Sequence, residues 1–205
     1  MAQQQHWEKV YTSKSFTDVS WYQPTPQVSL DFLKELAIPT NAAIIDVGAG
    51  DSYFVDHLLL AGYTDITVLD ISSVAIDKAK QRLGEKASGV TWVVSDITQF
   101  IPTRKYDYWH DRAAFHFLTT GEEIANYLNV ANNAMKEGGK MLIGTFSENG
   151  PEKCSGLPVK QYTENALTNT LKKWFKKIRC IHTDHLTPFN TIQNFLFCSF
   201  QKSAA

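Results

Sequence analysis

A chain of 205 residues suits one domain built on a continuous hydrophobic core. With 43% hydrophobic and 20% charged residues it has the make-up of a folded globular protein, which excludes a disordered chain. Its 20 Lys and Arg against 21 Asp and Glu create no global field for nucleic acid, and no stretch approaches the roughly 18 apolar residues that span a bilayer.

The N-terminal MAQQQHWEKV carries no apolar leader run, so the chain is expected to be cytoplasmic. Residues 1–38 are dense in aromatics, His6, Trp7, Tyr11, Phe16, Trp21 and Tyr22, too many for a disordered tail. They are expected to form a lid over a core at 40–202, the two together making a single domain, 1–205. The three cysteines, Cys154, Cys180 and Cys198, are odd in number, widely spaced and without a CxxC pair. They are expected to be reduced thiols, forming neither a disulfide framework nor a metal site.

Apolar runs predict strands over Ala42–Val47, Ile66–Leu69, Val90–Val94, Tyr106–Trp109 and Lys140–Thr145. They lack period-two alternation, which suits parallel strands covered on both faces. Helical patterns lie between them. One is capped by Ser72 or Ser73 and ends at Gly84. Another opens on a Thr120/Glu123 capping box, with Ile124, Leu128, Ala131 and Met135 on one face. After the loop 147–158, rich in Gly, Pro, Ser and Asn, a helix is predicted over Thr163–Trp174. Strands at Lys177–His182 and Phe195–Gln201 then flank a turn with Pro188 and Asn190 and can pair as a hairpin. The fold expected is α/β: a doubly wound, mostly parallel seven-stranded sheet with a C-terminal antiparallel hairpin and helices on both faces.

Three motifs carry chemistry. In IIDVGAGDS, a strand runs into a Gly48-x-Gly50 turn and then a helix from about Tyr53. The glycines allow a tight turn and close approach of a ligand, and the helix offers free N–H groups. Asp70 ends the second strand twenty residues after Gly50, where a carboxylate can accept from both hydroxyls of a ribose. Asp96 follows the third strand, placed for an adenine amine with Ile97 beside the ring. Three strand ends meeting in one crevice specify an adenosine-containing ligand. Tyr53 stands where a nicotinamide fingerprint usually has a small residue, so the turn is not shaped for a pyrophosphate.

DVGAGDS, then Asp70, then Asp96, then the terminal hairpin resemble the class I, Rossmann-like methyltransferases that use S-adenosylmethionine. The resemblance spans residues 40 to 202. It implies that Asp46, Gly48 and Gly50 surround the methionine part, Asp70 with Ile71 the ribose, and Asp96 with Ile97 the adenine. Ser52 departs from the glycine common there, and its hydroxyl can cap the helix. Trp21, an aromatic face suited to a sulfonium cation, is expected at the cofactor.

The segment YDYWHDRAAFHFLT, 106–119, leaves the fourth strand where that family places the reactive methyl. His110 and Asp111 are the candidates for removing an acceptor proton. Tyr22, Arg112, His116 and Cys154 are expected to face the acceptor, with Cys154 an exposed thiol and Arg112 able to pair with Asp111. HDRAAFHFLT, GPEKCSGLP and HLTP also resemble a bacterial subgroup of these enzymes. A small-molecule acceptor is expected ahead of a protein lysine, for which WYQPTP resembles the N-terminal segment of some enzymes, and ahead of a non-catalytic cofactor-binding module. Nucleic acid, membrane and metal are not expected. The Lys172, Lys173, Lys176, Lys177 run reads as a solvated helix end. The sequence does not specify an oligomeric state.

Overall fold

The apolar runs become the strands of one sheet. The computed structural model describes residues 2–204. Five strands are parallel: β1 (Ala43–Val47), β2 (Asp65–Asp70), β3 (Val90–Val94), β4 (Tyr106–Arg112) and β5 (Met135–Phe146). A short hairpin, β6 (Lys153–Cys154) and β7 (Leu157–Pro158), projects after β5. β8 (Phe175–Leu186) and β9 (Ile192–Lys202) close the sheet antiparallel, in the order β3-β2-β1-β4-β5-β9-β8. The strand order reverses at β1, so the crevice of this α/β sheet opens between the carboxyl ends of β1 and β4.

The helices are α1 (Ala2–Ser13), α2 (Gln27–Glu35), α3 (Phe54–Leu60), α4 (Ser73–Leu83), α5 (Gly121–Ala134) and α6 (Glu164–Leu171). Their starts follow local chemistry: Ser72 accepts from Ala75 N at 3.2 Å, Thr120 and Glu123 form the capping box, and Thr163 accepts from Ala166 N at 3.1 Å. Gly84, at φ +57, ends α4 in a conformation that would strain a side chain. Successive strand residues feed opposite cores. Ile45, Val47 and Trp109 pack under α5 and α6, while Ile44 and Tyr108 pack under α2, α3 and α4. Helices therefore cover both faces, as expected.

Two expectations are corrected. The apolar face predicted to reach Met135 as helix stops at Ala134, and Met135 instead pairs with Tyr106 to open β5. Cys180 and Cys198 are not separate thiols: they face each other across β8 and β9, Cα atoms 4.1 Å apart, and are joined in a disulfide. Their spacing in sequence, 18 residues, hides a cross-strand pairing that only the hairpin register creates. Among the described residues, no helix is long and apolar enough to cross a membrane.

Candidate active site

The crevice is built on the ends of β1, β2, β3 and β4. Beyond β1 the chain turns at Gly48 and Gly50, at φ +62 and +58, and the Gly48 N–H donates to Leu69 O at 2.8 Å. A Cβ on Gly48 would collide with Ala114, and one on Gly50 with the Tyr11 hydroxyl, so both positions require glycine for space as well as for backbone freedom. Ser52 Oγ accepts from Phe54 N at 3.1 Å, a turn bond one residue ahead of the cap position, which Tyr53 holds without a side-chain bond. Arg82, from α4, grips this loop from behind. It is ion-paired to Asp51 and bidentate to Asp56 at 3.1 and 2.9 Å, and it donates to Ser52 O at 2.8 Å.

Asp70, buried at the end of β2, accepts from Gly50 N at 2.7 Å and from Ser72 N at 2.8 Å. It ties the glycine turn to the start of α4. Burial raises its pKa to about 6, aided by the charges of Asp46 and Glu8 and opposed by the two N–H bonds. Asp96 caps the turn that follows β3, Oδ1 taking both the N–H and the hydroxyl of Thr98 at 2.8 Å. Ile71 and Ile97 add apolar wall beside these carboxylates.

Asp46 and His110 are register partners on β1 and β4, and Asp46 Oδ1 lies 2.6 Å from His110 Nδ1. His110 Nε2 meets Ser29 Oγ, on α2, at 2.8 Å, and its ring stacks on Phe54. Both ring nitrogens are engaged, Nδ1 by Asp46 and Nε2 by Ser29, so neither is free to act on a ligand. Asp46 lines the cavity, and its Oδ2 is buried and without a partner among the described residues.

Because β4 continues to Arg112, alternation divides the HDR segment. His110 and Arg112 face the cavity, whereas Asp111 points to the other face. There it accepts from Ala114 N, Phe115 N and the Tyr127 hydroxyl at 3.0, 3.1 and 2.7 Å. Asp111 therefore shapes the turn and does not reach the cavity, nor does it pair with Arg112. His116 is fully buried outside the cavity wall, its Nδ1 accepting from Phe146 N at 3.2 Å, and burial lowers its pKa to about 3 with the Arg112 charge adding to the effect. Tyr22 packs edge-on against Phe16 and Tyr53, also outside that wall. Cys154 does line the cavity but is buried instead of exposed. Burial pushes its thiol up to about 11, opposed by Ser20 and Arg112.

The N-terminal segment roofs the crevice. Trp7, Tyr11 and Trp21 interlock with centroids 5.9 to 6.3 Å apart, and Trp7 meets Phe117, beyond β4, at 5.0 Å. Glu8 fastens α1 to the N-terminus of α4. Its carboxylate accepts from Ser72 Oγ at 2.7 Å, Ser73 N at 2.8 Å, Ser73 Oγ at 3.0 Å and Val74 N at 3.1 Å. Burial alone would raise the Glu8 carboxyl, but these bonds outweigh it and hold the group below its ordinary value. Lys78 binds the other end of α1 by donating to the carbonyls of Tyr11 and Lys14.

A glycine turn, a strand-end carboxylate on each of β2 and β3 and a covering aromatic segment are thus set around one crevice, and the methyltransferase domain family matches residues 38–196. The chain belongs to that family. It is a methyltransferase domain of the Rossmann-like class, whose cofactor is S-adenosylmethionine. It is 27% identical over 150 residues to malonyl-[acyl-carrier protein] O-methyltransferase of Anoxybacillus flavithermus, covering 72% of this chain and 55% of that protein. It is 26% identical over 138 residues to the eEF1A lysine and N-terminal methyltransferase of Mus musculus, covering 67% of this chain and 19% of that protein. The chain thus spans little more than half of the first and about a fifth of the second. In fold it is similar to the N-methyltransferase NodS of Bradyrhizobium japonicum in complex with S-adenosyl-L-homocysteine. The TM-score is 0.74 at 15% identity, over 97% of this chain and 100% of that one.

Four side chains of this methyltransferase domain escape sequence reasoning: Glu8, Tyr11 and Arg82, which hold the roof and the glycine turn, and Ser29, which occupies His110. Their partners lie 26 or more positions away, and no local pattern announces them. For Tyr11 the only signal was its place in the aromatic cluster.

Proposed function

We propose that this chain transfers the methyl group of S-adenosylmethionine to a small-molecule acceptor. The observation that carries this is the convergence of Asp46, Gly48, Asp70 and Asp96 on one cavity enclosed by Trp7, Tyr11 and Trp21. The cofactor fits what the cavity offers. Gly48 lines the cavity without a side chain, Asp46 Oδ2 is a buried acceptor without a partner among the described residues, and the Asp70 oxygens each keep a lone pair for a ribose hydroxyl. In this reading Asp46, Gly48 and Gly50 bind the methionine part, Asp70 and Ile71 the ribose, Asp96 and Ile97 the adenine, and Trp21 lies near the sulfonium.

S-adenosylmethionine supplies a methyl already activated on sulfur, so the protein contributes positioning and exclusion of water. His110 serves as a positioning residue: held by Asp46 and Ser29, it fixes the floor of the cavity and leaves proton removal to solvent or to the acceptor itself. A cavity roofed by indole rings favours a compact acceptor over an extended side chain. The alternative, a protein lysine, is supported by the likeness to the eEF1A lysine and N-terminal methyltransferase.

The test is transfer of labelled methyl into a cell extract split by size, with Asp70→Ala as the blank. Label in the small fraction is expected. Label confined to the large fraction would replace this reading with a protein substrate, and cofactor binding without any label would favour a non-catalytic module.

A further inference from the structure

Arg112 ends β4 on the cavity face. Its Nη1 donates to the Trp21 carbonyl at 3.1 Å, and the guanidinium lies 5.5 Å from the centroid of the Phe195 ring. Nε and Nη2 are closed off from solvent and have no hydrogen-bond partner among the described residues. Burial lowers the pKa to about 10, so the group remains a cation at neutral pH. Two donors of a cation that are shut off from water and left unpaired are costly to keep. Such an arrangement is understandable where a ligand completes it.

The identity of the idle atoms narrows the ligand. Nε–H and Nη2–H lie side by side on one edge of the guanidinium, parallel donors spaced for the two oxygens of one anionic group. Asp46, Asp70 and Asp96 also face this cavity, so its charge suits a singly charged carboxylate better than a dianionic phosphate. Position narrows it further. Asp70 and Asp96 stand on the β2 and β3 side of β1, whereas Arg112 leans towards Phe195 of β9, on the opposite side of the switch point, next to Cys154 and Trp21.

We propose that the methyl acceptor is a small carboxylic acid and that Arg112 holds its carboxylate through Nε and Nη2. This rests on the proposed methyl transfer and adds the chemical class of the acceptor. The same chemistry exists in the carboxylate of the cofactor's methionine part, and the experiment separates the two sources.

Wild type, Arg112→Gln and Arg112→Lys are each titrated calorimetrically with S-adenosylhomocysteine. The loaded proteins are then melted with malonate, glutarate, benzoate or indole-3-acetate, and with the amide of each. All three proteins are expected to bind S-adenosylhomocysteine with similar affinity. At least one carboxylate should raise the melting temperature of loaded wild type by about 5 °C when in large excess, while its amide does not. Both variants should bind that carboxylate about a hundredfold more weakly, the Lys variant because it keeps the charge without the paired donors. The proposal is overturned if no carboxylate shifts loaded wild type, or if the shift survives in Arg112→Gln. It is also overturned if the variants weaken S-adenosylhomocysteine about a hundredfold, which would assign Arg112 to the cofactor. Failure of wild type to bind S-adenosylhomocysteine would instead overturn the methyl-transfer reading, and this proposal with it. Should Arg112→Gln not fold, Arg112→Lys carries the comparison.

Discussion

Glu8 and Ser72 stand 64 positions apart in the chain, yet the Glu8 carboxylate accepts the Ser72 hydroxyl at 2.7 Å. A residue of the roof thus caps the helix that leaves the second strand, and the roof is tied to the same turn that Asp70 organises. Its opening is coupled to the N-terminus of α4, where free N–H groups and the helix dipole favour a carboxylate.

Glu8→Ala should therefore lower stability by about 1 kcal/mol, and release of S-adenosylhomocysteine should speed up about tenfold as the roof loosens. Stopped-flow displacement measures the release. An unchanged rate would mean that the roof does not gate the crevice. Because the Glu8 pKa is lowered in the fold, its contribution is present above the ordinary carboxylate value of 4.5 and disappears as pH falls through the lower folded value.

Asp70 behaves oppositely. Its folded pKa, about 6, lies above the ordinary 3.8, so in the ligand-free protein it withdraws stability as pH rises from about 4 to about 6. Ribose hydroxyls donate to the charged form. S-adenosylhomocysteine affinity should therefore fall as pH drops below about 6, approaching tenfold per unit. Calorimetry at pH 5, 6 and 7.5 reads this slope, and Asp70→Asn should be weak and flat across the range.

Gly50→Ala should cost about 1 to 2 kcal/mol from its left-handed backbone, and more from the collision with Tyr11. Adding Tyr11→Ala removes the collision but not the backbone strain. The double variant should thus regain part of the lost thermal stability, and no recovery would place the whole cost in the backbone.

His110→Ala leaves Asp46 Oδ1 and Ser29 Oγ unpaired in the interior, for a loss of about 3 kcal/mol. Once an acceptor is known, its pH–rate profile should keep its shape in this variant. Loss of one limb of the profile would restore His110 as a general base.

Reduction of the Cys180–Cys198 disulfide, or Cys198→Ser, should destabilise the terminal hairpin. The chain-entropy limit for an 18-residue loop is about 3 kcal/mol, and β8 and β9 stay paired along their length, so the measured loss should fall below that. Thermal melts with and without reductant give the value.

What the sequence determined by itself is local. The strands, the caps at Ser72 and Thr120, the glycine turn and the carboxylates Asp70 and Asp96 follow from backbone periodicity and turn chemistry within a few residues. Ending the fourth strand at Trp109 hid one further local fact: carried on to Arg112, period two alone separates His110 and Arg112 from Asp111. Tertiary structure decided the rest. Glu8 on α4, Tyr11 over Gly50, Arg82 behind the turn, Ser29 on His110 and the Cys180–Cys198 pair join residues from 18 to 81 positions apart. Such contacts depend on how strands register and helices dock, which is set by the packing of the two cores as a whole. No short stretch of chain carries that information.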